Sequence, residues 1–102
     1  MIHNKAIRDK IPEIIKESGN TCNIKKLSDT EFLVELEKKL EEETKEYLQS
    51  KSVEELVDIL EVVYGISKLR GMTIERLEEI RQEKVQKRGG FEKNLFLVDT
   101  DD

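Results

Sequence analysis

The polar break Gln49-Ser50-Lys51-Ser52 constrains this chain more than any other feature. It separates two long stretches whose apolar residues recur at helical spacing. A connection this short makes the flanking helices antiparallel neighbours. The upstream stretch opens with Ser28 and Glu31, an S-x-x-E capping box, with Leu27 and Phe32 placed for a hydrophobic staple. Its stripe runs Phe32, Leu33, Leu36, Leu40, Tyr47 and Leu48. The downstream stretch opens with a second S-x-x-E pair, Ser52 and Glu55, and continues with Val53, Leu56, Val57, Leu60, Val63, Tyr64, Ile66 and Leu69. Gly65 interrupts it at a cost of about 1 kcal/mol of helix propensity, which close helix packing would justify.

This hairpin decides where four carboxylates go. Glu43 and Glu46 lie late in the first helix, Glu55 and Asp58 early in the second. Residues three apart share a helix face, and the turn brings the two pairs side by side. Glu43 also fills the gap between Leu40 and Tyr47 in the apolar stripe, so a carboxylate stands where a buried side chain belongs. A buried charge needs a partner or a cation. Carboxylates converging on one volume repel one another, and a hard divalent cation relieves that repulsion. Magnesium prefers oxygen ligands and phosphates, and manganese suits the same donors. Plainer readings also fit: Glu55 as the third residue of a capping box, an ordinary acidic face at Glu42, Glu43 and Glu46, or local pairs of Glu41 with Lys45 and of Glu42 with Lys38 or Lys39.

Elsewhere, Pro12 suits a first helical turn and Gly19 a helix stop, predicting a short helix over 10–18 and a loop over 20–27. Thr73 is a good N-cap, with Met72 and Leu77 as its staple. Ile74, Leu77, Ile80 and Val85 give that helix its core face, and Gly89-Gly90 ends it. Phe91 to Val98 reads as an extended tail able to pair or pack. The expectation is one all-α domain over 1–102, an antiparallel helical bundle. Only 36% of residues are hydrophobic against 40% charged, so its narrow stripes predict a core completed by oligomerisation, as a homodimer or a dimer-based tetramer.

Residues 31–61 hold eleven acids against four bases, whereas 1–26 hold three against six and 68–93 five against eight. An acidic centre with basic flanks suits a cation plus a phosphate-bearing small molecule. A nucleic-acid polymer is not expected, because the net charge is −5. Cys22 stands alone, no run suits a membrane span, and the first residues lack the apolar core expected of a signal peptide. The expected location is cytoplasmic.

Glu42-Glu43-Thr44-Lys45-Glu46 followed by Glu55-Leu56-Val57-Asp58 resembles the E-E-x-x-E … E-x-x-D pattern of the MazG-like all-α nucleoside triphosphate pyrophosphohydrolases. The flanks are similar to a small phosphoribosyl-ATP-pyrophosphohydrolase-like subgroup: Lys5 to Pro12 resembles its opening motif and Lys87-Arg88-Gly89-Gly90-Phe91 its closing one. The resemblance implies a four-helix core completed by dimerisation. It implies magnesium held by Glu43, Glu46, Glu55 and Asp58, with Glu42, Glu43 and Glu46 serving catalysis and Glu42 orienting water or ligand. It also implies cleavage between the α- and β-phosphates of a nucleotide, giving monophosphate and pyrophosphate. Arg8 and Lys10 are suited to substrate phosphate oxygens. Lys87 and Arg88 fit the same role or merely the helix C-terminus they occupy. Two alternatives stay open: the phosphoribosyl-ATP reaction of histidine biosynthesis, and a non-catalytic helical oligomerisation or regulatory module.

Overall fold

The computed structural model describes residues 1–101 and contains four helices: α1 (Ile11–Glu17), α2 (Asp29–Ser50), α3 (Val53–Leu69) and α4 (Ile74–Arg88), with no strand among the described residues. The all-α expectation holds. Local chemistry sets most of the boundaries. Pro12 lies in the first turn of α1. At the start of α2 the Glu31 N–H donates to Ser28 Oγ at 3.2 Å, and the Ser28 N–H donates back to Glu31 Oε1 at 3.2 Å, completing the predicted box. Thr73 Oγ1 accepts from the Arg76 N–H at 3.1 Å and starts α4. Gly89, with φ +81°, ends α4 in a conformation that a side chain would strain.

The second predicted box does not form. Ser52 caps α3, but its hydroxyl accepts from the Glu54 N–H, and its own N–H donates to Ser50 Oγ. With those cap positions filled from elsewhere, the Glu55 side chain is left for other contacts. Lys51 makes the turn in the left-handed region (φ +57°), its N–H donating to Tyr47 O at 2.7 Å. Only Lys51 and Ser52 therefore join α2 to α3, which lie antiparallel and make the main helix–helix contact, while α4 touches α3 less extensively.

The hairpin core is small. Leu36 and Val62 are buried in it. A Cβ on Gly65 would stand 3.0 Å from Leu36 Cδ1, so the close approach foreseen for this glycine is real. Ser67 is buried nearby and donates to Met72 O at 3.2 Å, tying the end of α3 to the turn before α4. No described side chain is fully buried. The chain exposes 9481 Å², whereas a compact monomer of this mass exposes about 6,000 Å². Its radius of gyration is 18.0 Å, against about 13 Å for a compact domain of this length. Val53, Leu56, Val57 and Leu60 stand exposed on the outer face of α3. Leu48, read as part of the α2 stripe, is 58% exposed. The tail neither pairs nor packs: Phe91 and Leu95 to Val98 are all at least 78% exposed.

Candidate metal centre

Three of the four predicted carboxylates, Glu43, Glu55 and Asp58, meet across the two helices, while Glu46 groups with Glu42 and Glu43 on α2. Ligand oxygens of Glu43, Glu55 and Asp58 lie within 4.8 Å of one another, and so do those of Glu42, Glu43 and Glu46. Glu43 belongs to both groups and joins the two helices' contributions. It is 7% exposed, while the other four are half-buried. The burial follows from the hairpin, since the stripe that buries Leu36 carries Glu43 seven residues, about two turns, further on.

Glu43 is compensated on one oxygen only. Lys39 Nζ stands 3.7 Å from Oε1, too far for a hydrogen bond. Oε2 is buried with no hydrogen-bond partner. Burial pushes the Glu43 carboxyl up to about 7, reinforced by a hydrogen bond and charge repulsion from Glu46 and by the charge of Asp58, with Lys39 opposing. An ionised Glu43 cannot donate to Glu46; a protonated one can. Glu55 is raised as well, first by desolvation and then by the Glu46 charge. Proton uptake at Glu43 is one way to relieve such crowding, and a bound cation is another.

The residues fit a hard divalent cation. The donors are all oxygen, matching magnesium or manganese better than a soft metal. The buried, unpaired Oε2 of Glu43 is a ligand atom without a partner, an expensive state unless something charged replaces water there.

The structure brings some flanking residues to the site and not others. Arg8 Nη2 donates to Asp58 Oδ1 at 2.6 Å across 50 positions of sequence. Lys10, Lys87 and Arg88 make no ion pair with the cluster among the described residues, and all three are exposed. Local pairing also differs in part from expectation. Glu41 and Lys45 pair at 3.2 Å as read. Lys38 instead takes Glu35, and Lys39 takes Glu43, so Glu42 has neither lysine. Lys39 is the site residue that sequence reasoning missed. Its signal was the i,i+4 spacing to Glu43, obscured because Lys38 and Lys39 are equally available to Glu42 by spacing.

Comparisons with known proteins add little. A 40-residue stretch, 39% of the chain, is 50% identical to part of an uncharacterized protein of Mycolicibacterium smegmatis, and the match spans 41% of that protein's length. No protein-family model matches the chain, and no solved structure matches it. No helix among the described residues is long and apolar enough to cross a membrane.

Proposed function

We propose that the chain is a magnesium-dependent nucleotide pyrophosphohydrolase, hydrolysing a nucleoside triphosphate or related nucleotide to the monophosphate and pyrophosphate. The observation that carries this reading is Glu43, a buried carboxylate with an unpartnered oxygen, shared by one carboxylate triad within α2 and another that spans α2 and α3. The MazG-like motif resemblance supplies the reaction class. Glu43, Glu46, Glu55 and Asp58 would hold the cation, with manganese an acceptable substitute. When bound, magnesium neutralises phosphate oxygens and acidifies coordinated water.

The chain's own residues divide the remaining work. Glu42 lies at the edge of the cluster, half-buried and without a salt-bridge partner among the described residues, so its carboxylate is free to orient water and accept its proton. Glu43 and Glu46 keep the acidic wall in place. Arg8 brings a guanidinium to the same wall, where its fork suits phosphate oxygens. The working unit in this reading is a homodimer or dimer-based tetramer. Its support is the run of exposed apolar side chains on α3, Val53, Leu56, Val57 and Leu60, which a second copy would cover.

A panel of nucleoside triphosphates and phosphoribosyl-ATP, assayed with magnesium and followed by phosphorus NMR, tests the reaction. Monophosphate and pyrophosphate are the expected products, and a dominant orthophosphate signal rejects the proposed bond cleavage. Thermal melting tests the cation separately. Stabilisation by magnesium or manganese but not by matched monovalent salt is expected, and its absence would favour the non-catalytic module.

A further inference from the structure

The N-terminal segment reaches the acidic end of the hairpin from outside. Ala6 is among the few buried residues of those described. Residues Ile2 to Ala6 wall a cavity of about 340 Å³ whose other side includes Glu35, Lys39 and Glu42 of α2. Two positions beyond Ala6, Arg8 bonds Asp58 at 2.6 Å, the one ion pair between this segment and the hairpin among the described residues. The side chains are 51% and 42% exposed, and an ion pair so open to water is weak. Arg8 and Lys39 are the only cationic side chains paired with the cluster among the described residues, and Lys39 serves Glu43.

We propose that Arg8 is a displaceable counter-ion. It neutralises Asp58 while the cluster holds no cation. It gives Asp58 up when a divalent cation binds, and its guanidinium then turns to a phosphate oxygen of the nucleotide. This rests on the metal reading above. Three considerations favour exchange over retention. A guanidinium on Asp58 and a divalent cation on the same carboxylates repel at short range. The weak, exposed pair resists displacement little. The freed guanidinium has the planar fork that recognises phosphate. The rival arrangement keeps Arg8 on Asp58 Oδ1 and offers Oδ2 to the cation. It predicts the opposite response to loss of Arg8, because a supporting partner would then be removed.

The test is side-chain NMR of the full chain with magnesium alone, then with magnesium and inorganic pyrophosphate, together with calorimetric titration of magnesium into wild type, Arg8→Gln and Arg8→Lys. Magnesium should shift the carboxyl-carbon signals of Glu43 and Asp58 and free the Arg8 Nη2–H signal to exchange faster with water. Pyrophosphate should restore its protection. Arg8→Gln should bind magnesium about two- to five-fold more tightly, the range an exposed pair is worth, and Arg8→Lys should stay close to wild type. Carboxyl shifts with an unmoved Arg8 signal, or weaker magnesium binding by Arg8→Gln, would overturn the exchange and leave the metal centre standing. A released Arg8 that ignores pyrophosphate would overturn its phosphate role. If the carboxyl signals do not move at all, both the metal centre and the exchange fall.

Discussion

Two regions of this molecule carry apolar side chains, yet they end differently. In the α2–α3 hairpin the stripes meet, burying Leu36, Val62, Ser67 and one charge, Glu43. On the outer face of α3, at the far end of α4 and through the tail, apolar side chains stay open to solvent: Val57, Leu60, Val85 and Leu95 are exposed, whereas Ile74, Leu77 and Ile80 half-bury the start of α4 against the rest of the chain. α4 has no buried residue. The contrast teaches that most of the buried residues lie in the hairpin, and that its acidic end is met by Arg8 and Lys39 of the same chain. The outer face has the composition of a core without the burial, and a second copy is the expected cover.

The sharpest way to break this comparison is to remove charge from the hairpin end. Glu46→Gln and Asp58→Asn keep side-chain size, so the fold should persist while activity falls by about 100-fold or more, beyond the range seen for groups that merely support metal ligands. Steady-state turnover alongside circular dichroism separates the two effects. Near wild-type turnover in either variant would remove the metal centre.

Next in size is the pH response of the hairpin. The Glu43 carboxyl is raised from 4.5 to about 7, so between those values the folded chain holds a proton that the unfolded chain has released. Cation-free stability should therefore fall as pH rises from about 4.5 to about 7 and level off above. The total loss should be on the order of 1–3 kcal/mol. Glu43→Gln should flatten most of that slope, leaving the smaller part due to Glu55, and stabilise the cation-free protein near neutral pH, while also losing stabilisation by magnesium. Magnesium binding should tighten as pH rises through 7, because cation and proton compete for the same oxygens. Urea unfolding across the range, with and without magnesium, reads both signs. A cation-free stability that rises with pH over this window would mean that Glu43 is not the buried, crowded acid described.

The smallest expected effect concerns the outer face. Leu60, 49% exposed, should tolerate Leu60→Glu with little change in the stability of the hairpin itself. Burial of that charge between two copies should weaken association by about tenfold or more, roughly 1.4 kcal/mol. Sedimentation at micromolar concentration decides it. A wild-type chain sedimenting as a monomer of 11.9 kDa and active at high dilution would mean that the outer face has no second copy on it.

Helix starts were legible because capping is local chemistry. Ser28 and Thr73 do what their spacing predicts, and Ser52 begins α3 as expected. Its partner was not legible. Glu54 and Ser50 fill the cap positions assigned to Glu55, a choice among near-equal neighbours decided when the turn closes. The carboxylate cluster was legible because it needs only two local periodicities and one short link.

The amino-acid sequence by itself determined the helices, the antiparallel hairpin and the approach of Glu43 to Glu55 and Asp58 across it, because each follows from contacts within a few residues or from a turn too short to allow another path. Only the tertiary structure decided that Arg8 reaches Asp58, that Lys39 serves Glu43 rather than Glu42, that Glu43 Oε2 is left without a partner, and that the tail stands clear of the bundle. Those outcomes turn on distances between segments far apart in the chain, or on competition between equivalent neighbours, and residue spacing carries no information about either.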